Sequence, residues 1–377
     1  MVVSPSNSRL LLLDDKPYLM RGVAYSPTPI GIDPQDQSLD FFYEDYQAIY
    51  DRDLPLMKAA GINTLRVYVM EATVSHADFL DKCVLNNITV VGGFDLHGSA
   101  HDPTYPFNSD FGFTQVRLDL QRQVQAIKHP AVTMWYVGNE INLPSHGMIC
   151  DTSGNTTCLY DGSTASMLNF LTKMDELCAL VTAEGMLCAT PLAEYQTPAL
   201  YDNEECEVSN SNANCVGTQG YGQEGANAWF HIFENLRGSD GQKVIQNMAV
   251  NAVNLYATGG TLQNFFWSYR AKSGKPLAIT EYGVDSYQTQ TFAVSDNCVF
   301  PPCHVMAENQ TSHALTVQTL TEHLERNAVT CLRNCDTNVV TGGIIMAWSD
   351  EWHKGHGPSG APANGPWGTE WWYNEYE

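Results

Sequence analysis

The chain has 377 residues, with 19 lysines and arginines against 42 aspartates and glutamates, a formal charge of −23 at neutral pH. Apolar residues make up 44% and aromatic ones 11%, which excludes a disordered acidic chain, poor in aromatics and rich in charge. The charge argues against a nucleic-acid partner, because phosphate would be repelled, and against anionic membranes; a neutral partner such as a sugar fits.

From the N-terminus, the apolar run Leu10–Leu13 lacks the flank of a signal peptide and is too short to span a bilayer. No later stretch of about 18 apolar residues exists, so no membrane span is expected. A short β-rich run followed by an amphipathic stretch then recurs. Strands are predicted at Tyr18–Tyr25, Thr64–Met70, Ile88–Phe94, Val132–Val137, Met186–Pro191, Ala249–Tyr256, Pro276–Thr280 and Gly343–Trp348. Most are continuous apolar runs, as parallel strands buried on both faces require. Between them Val116, Leu120, Val124 and Ile127 share one helical face, as do Met167, Phe170, Leu171, Met174 and Leu177, and Val317, Leu320, Leu324 and Ala328. Such stripes pack helices onto a sheet.

Eight strands alternating with helices predict an α/β fold, a single closed (β/α)8 TIM barrel. An open nucleotide-binding sheet would want a glycine-rich loop after the first strand, and Gly22-Val23-Ala24-Tyr25-Ser26-Pro27 is not one. One catalytic domain is expected over residues 1–377, with a barrel core of about 17–355 and a tail, 356–377, wrapped on it. The Asn/Cys/Gly-rich spans 143–163 and 195–226 are read as long loops on the strand-end side.

Of the 11 cysteines, eight fall in short-range pairs beside polar segments: Cys150/Cys158, Cys206/Cys215, Cys298/Cys303 and Cys331/Cys335. Disulfide staples on loops in an oxidising compartment explain this better than zinc, since no C-x-x-C occurs. Cys83, Cys178 and Cys188 lie in apolar periodic stretches, either as buried thiols or as one pair plus a leftover. Sequons at Asn87, Asn155 and Asn309 are glycosylation candidates. Together these features predict a secreted protein.

In a barrel of this kind, residues at the carboxyl ends of the strands face the active site. The fourth strand ends Val137-Gly138-Asn139-Glu140 and the seventh Ile279-Thr280-Glu281-Tyr282-Gly283. A glutamate where a buried strand stops is costly unless it is paired or catalytic. Two of them across a barrel mouth suit acetal cleavage: one carboxyl protonates the departing oxygen and the other attacks the anomeric carbon. Retention requires the pair to lie about 5–5.5 Å apart. Glu281 is the expected nucleophile. Glu140 is the expected acid/base, protonated at rest, with Asn139 placed to hold the 2-hydroxyl of the sugar.

This constellation resembles glycoside hydrolase clan A, the retaining (β/α)8 enzymes. Within it, Arg21-Gly22-Val23-Ala24-Tyr25 and the stretch Arg52–Tyr68 look like the fungal cell-wall β-1,3-glucanosyltransferases of family 72. His129-Pro130, Trp135 to Glu140, and Thr280-Glu281-Tyr282-Gly283 are also similar to the family 2 β-glycosidases. The resemblance implies that Arg66 orients Glu281 and keeps it ionised, that Tyr256 hydrogen-bonds it, and that Trp348 forms a platform beneath the sugar. Tyr25, Tyr68 and Tyr282 sit at other strand ends and are candidates for lining subsites; Asp95 and His97, after strand three, are candidates for binding a hydroxyl. Asp350 and Glu351, adjacent on a strand end, point opposite ways, so only one of them, with Asp350 the candidate, would reach substrate. His353 and His356 are not read as metal ligands, and no metal or organic cofactor is expected.

The resulting expectation is a monomeric, secreted, retaining β-glycoside hydrolase or transglycosylase acting on neutral β-glucan, with β-1,3 linkage first. An exo-acting β-glycosidase and a non-catalytic carbohydrate-binding or wall protein are the alternatives.

Overall fold

The computed structural model describes residues 1–29, 32, 40–96, 107, 109–143, 164–194, 225–257, 259–284, 287–292, 303–330 and 337–348. Three short strands open the chain: Val2–Ser4 (β1), Asn7–Leu13 (β2) and Lys16–Pro17 (β3) form an antiparallel sheet. The barrel strands are Met20–Ala24 (β4), Thr64–Arg66 (β5), Thr89–Phe94 (β6), Val132–Val137 (β7), Leu187–Ala189 (β8), Pro191–Ala193 (β9), Asn251–Asn254 (β10) and Leu277–Tyr282 (β11). A hairpin of Tyr287–Phe292 (β12) and Cys303–Glu308 (β13) follows, and Val340–Ile345 (β14) completes the set.

Pairing in the barrel is parallel throughout, in the order β8-β7-β6-β5-β4-β14-β11-β10-β9. Only Thr190 separates β8 from β9, so these are two halves of the fifth barrel strand and the ring closes on itself. The fold is a (β/α)8 TIM barrel. Helices Gln47–Ala59, Ala77–Leu85, Asp110–Ala126, Thr164–Ala183, Gly225–Asn235, Gly259–Lys272 and Gln310–Arg326 surround it.

Two apolar layers follow from the period of the strands. Outward-facing Leu65, Val67, Trp135, Val137, Val253, Leu277 and Ile279 pack with the helices. Inward-facing Met20, Val91, Met134, Tyr136, Ala252, Ala278 and Ile344 fill the barrel, where Leu11 of β2 joins them. The run Leu10–Leu13 therefore belongs to the N-terminal sheet, with Leu11 turned into the barrel and Leu10 and Leu12 packed outside it against Val329.

Several boundaries differ from those expected. The eighth strand runs Val340–Ile345 and ends before Trp348, while the seventh continues to Tyr282. The expected fifth strand breaks at Thr190 because Pro191 has no amide proton with which to continue a ladder. The span 195–226 gives way to a helix at Gly225.

Cys178 and Cys188 form a disulfide that ties the helix Thr164–Ala183 to the fifth strand, and Cys83 is a buried free thiol. This is the one-pair-plus-leftover arrangement. Cys150, Cys158, Cys206, Cys215, Cys298, Cys331 and Cys335 lie outside the described residues, as do Asn155, His97, Asp350 and the tail 356–377; Cys303 opens β13. Asn87 is exposed. Asn309 caps the helix Gln310–Arg326, its side-chain oxygen accepting from the Ser312 amide at 2.9 Å. Among the described residues, no helix is long and apolar enough to cross a membrane.

Candidate active site

The carboxyl ends of the strands bring a polar cluster together around Arg66. On the second strand, Leu65 and Val67 face the helices, so Arg66 and Tyr68 face the barrel axis. On the sixth, Val253 and Leu255 face outward and Asn254 and Tyr256 inward. Glu281 needs more than alternation. Ala278 points inward and Ile279 outward, so strict alternation would aim Thr280 in and Glu281 out. The register with β10 shifts instead, pairing Val253 with Ile279 but Asn254 with Glu281. This bulge leaves Thr280 unpaired and swings the carboxylate into the mouth. Thr280 also faces the cluster, donating to Asn254 Oδ1 at 2.7 Å.

Glu140 is aimed by a turn. Gly138 has φ 77° and Glu140 φ 49°, both in the left-handed region. Glycine is required at 138, because a Cβ there would also lie 2.7 Å from Ile141 Cγ2. For a glutamate the same region is strained, a feature that clusters at functional sites. The Glu140 amide donates to the Pro191 carbonyl at 2.9 Å, so the break in the fifth strand helps anchor the turn. Asn142 clamps Ala193 from both sides, donating to its carbonyl at 2.8 Å and accepting from its amide at 2.7 Å.

Arg66, 2% exposed, donates through Nη1 to Glu281 Oε1 at 2.7 Å and the Thr280 carbonyl at 2.9 Å, and through Nη2 to Asn139 Oδ1 at 2.8 Å. Its guanidinium carbon lies 4.4 Å from the centre of the Tyr68 ring and 5.4 Å from that of Tyr136. Burial opposes the charge, but Tyr68, Glu281 and the neighbouring phenols outweigh it, so the arginine holds its proton more tightly than usual. Glu281 accepts from Tyr68 OH on Oε1 and from Tyr256 OH on Oε2, each at 2.8 Å. Both oxygens thus face donors, which fixes the rotamer of a carboxylate. Burial, followed by the charge of Glu281, pushes the Tyr256 hydroxyl well above its ordinary pKa, and Glu140 adds to that shift. Tyr256 therefore stays a donor to Glu281 at all working pH values.

A cavity of about 350 Å³ opens from this cluster toward strands two to four, lined by Arg66, Tyr68, Asp95, Tyr136 and Asn139 among others. Gly93 keeps its wall thin, since a Cβ there would lie 2.2 Å from the Tyr68 carbonyl oxygen. Asp95 is exposed at this cavity. Tyr136 is buried, and its hydroxyl, itself closed off from solvent, has no hydrogen-bond partner among the described residues.

Tyr25 and Tyr282 do not join the cluster. Both follow inward-facing neighbours and point toward the helices, where Tyr25 donates to Asp53 at 2.9 Å and Tyr282 pairs with Thr321 at 2.9 Å. Trp348 packs against the helix-side apolar layer rather than the one inside the barrel, with its amide donating to the Ala24 carbonyl at 3.0 Å. Three members were not singled out from sequence: Asn254, Thr280 and Tyr136. The signal for Asn254 was present, because amides inside the buried run Asn251-Ala252-Val253-Asn254 must find partners. Among the described residues, no group of three or more His, Cys, Asp or Glu converges as metal ligands.

No protein-family model matches the chain, and no curated protein matches it. Solved structures do. Saccharomyces cerevisiae Gas2p, as a Glu-to-Gln variant in complex with laminaritetraose and laminaripentaose, superposes with a TM-score of 0.50 at 15% identity, over 90% of this chain and 58% of that one. Gas2 in complex with another compound gives a TM-score of 0.50 at 13% identity, over 92% and 63%. The likeness is one of fold. The chain spans about three fifths of the length of the structures it matches.

Proposed function

We propose that this protein is a retaining β-glycoside hydrolase or transglycosylase of clan A type, acting on neutral β-glucan. The observation that carries the reading is the convergence of Glu281 and Glu140 on one hydrogen-bonded cluster at the strand ends, with Glu281 gripped by Arg66, Tyr68 and Tyr256. In the first step the Glu281 carboxylate attacks the anomeric carbon while the Glu140 proton passes to the departing oxygen. In the second, Glu140 takes a proton from water or a sugar hydroxyl, which displaces Glu281. The Arg66 charge and the two phenols hold the nucleophile in place and temper its charge. Asn139, whose amide oxygen is engaged by Arg66 and Asn254, is held beside Glu140, next to where a sugar 2-hydroxyl would sit.

The shared fold with Gas2p, a protein solved with laminari-oligosaccharides, supports β-1,3-glucan as first substrate. The Cys178–Cys188 disulfide supports a secreted or wall-associated location. The test is incubation with β-1,3, β-1,4, β-1,6 and mixed-linkage oligosaccharides, with products sized. Longer products indicate transfer and shorter ones alone hydrolysis; no change on any of them contradicts the proposal.

A further inference from the structure

Asn254 has all four side-chain hydrogen-bonding positions occupied. Its Oδ1 accepts from Thr280 Oγ1 at 2.7 Å and from Arg66 Nη1 at 3.3 Å. Its Nδ2 donates to Asn139 Oδ1 at 3.1 Å and to Glu140 Oε1 at 3.1 Å. The residue is 2% exposed, so these partners replace water. The direction of the network is set by chemistry. Arginine has no acceptor, so the oxygen of Asn254 must face Arg66 and its NH2 group must face Glu140. An N–H donated to Glu140 Oε1 favours the proton on the other oxygen, because the carbonyl oxygen of a carboxylic acid accepts better than its hydroxyl oxygen.

We propose that Asn254 is a positioning residue for the reaction assigned above, on which this inference rests. It biases the Glu140 proton toward Oε2 and links the acid/base to the cation that holds the nucleophile. In the first step the proton leaves Oε2 for the departing oxygen as the glycosidic bond breaks and the bond from Glu281 forms. The resulting Glu140 carboxylate is stabilised by the N–H of Asn254. Among the described residues, the charged and titratable groups that surround Glu140 in this cluster are Arg66 and Tyr68 on strand two, Tyr136 on strand four, Tyr256 on strand six and Glu281 on strand seven. All of them remain in a variant altered only at 254.

The test follows the carboxyl of Glu140 by 13C NMR in glutamate-labelled protein, with Glu140→Gln assigning the resonance. In the unaltered chain the side-chain NH2 signal of Asn254 should shift with the Glu140 midpoint; an NH2 signal indifferent to that titration overturns the inference without any variant at 254. In Asn254→Asp, which keeps shape and the contact to Arg66 but presents an oxygen to Glu140, the Glu140 midpoint should rise. The alkaline limb of kcat/KM should rise with it, and turnover of a β-glucan oligosaccharide should fall at least about tenfold, as loss of one hydrogen bond to a charged group implies. Asn254→Ala should move the midpoint the same way by less. Unmoved midpoints in both variants, with near-ultraviolet circular dichroism unchanged, overturn the inference. If the titrations behave as expected but no β-glucan is processed, the glycosidase reading fails and the link between Asn254 and Glu140 stands.

Discussion

Arg66 Nη1 lies 2.7 Å from Glu281 Oε1, with the two side chains only 2% and 10% exposed. Charges this deep are tolerated because every neighbour answers them: Asn139, Asn254 and the Thr280 carbonyl accept from the guanidinium, and two phenols donate to the carboxylate. A buried pair so furnished contributes little net stability, yet breaking it strands a charge. Arg66→Met should therefore cost about 3–5 kcal/mol in chemical denaturation and abolish activity. Adding Glu281→Gln to that variant should recover part of the loss. Additive losses would mean that the pair is not coupled.

Tyr68→Phe and Tyr256→Phe each remove one 2.8 Å hydrogen bond to Glu281. Each should lower kcat by about ten- to a hundredfold, because a hydrogen bond to a charged group is worth roughly 1.5–3 kcal/mol. Tyr256 as a residue is 51% exposed, although its hydroxyl is tucked against Glu281, so its variant should fold with near-native stability. Steady-state kinetics with thermal unfolding separates the two effects, and an unchanged kcat in both variants would remove these tyrosines from the account.

Glu194 follows the fifth strand, and burial raises its pKa above the usual carboxylate range. A carboxyl whose folded pKa is raised favours the folded state most below its unfolded pKa, and that contribution is lost as pH rises through the folded value. Glu194→Gln should therefore raise the melting temperature at pH 7 and change it little near pH 4. Equal shifts at both values would contradict the burial argument.

The Cys178–Cys188 bridge closes a short loop, with a sequence separation of 10, between a helix and the fifth strand. Replacing both cysteines by alanine should destabilise the protein by on the order of 3 kcal/mol, read by urea unfolding. No loss would mean that the loop is already ordered in the unfolded chain.

Most of the barrel was legible because parallel strands buried on both faces leave continuous apolar runs, as in Val132–Val137, predicted to the residue. Val340–Ile345 was placed late because its glycines, Gly342 and Gly343, dilute the apolar signal, while the aromatic Trp348 lies beyond the strand. The two glutamates stood out as charges where apolar runs stop. Their partners were harder to read. Period-two reasoning counts Tyr25 and Tyr282 as strand-end residues without fixing the side they face, and it would have turned Glu281 away but for the bulge at Thr280. Asn254 is legible only through its contacts, since an amide in a strand does not announce which charges it joins.

Every step of the proposed reaction depends on Glu281 being the nucleophile. The most direct test of that role is trapping with a 2-deoxy-2-fluoro β-glucosyl or laminaribiosyl donor carrying a dinitrophenyl leaving group, followed by peptide mass analysis. One sugar should be found on the peptide containing Glu281, with no label in Glu281→Gln. A sugar on a different carboxylate, or complete turnover of natural substrate by Glu281→Gln, would contradict it.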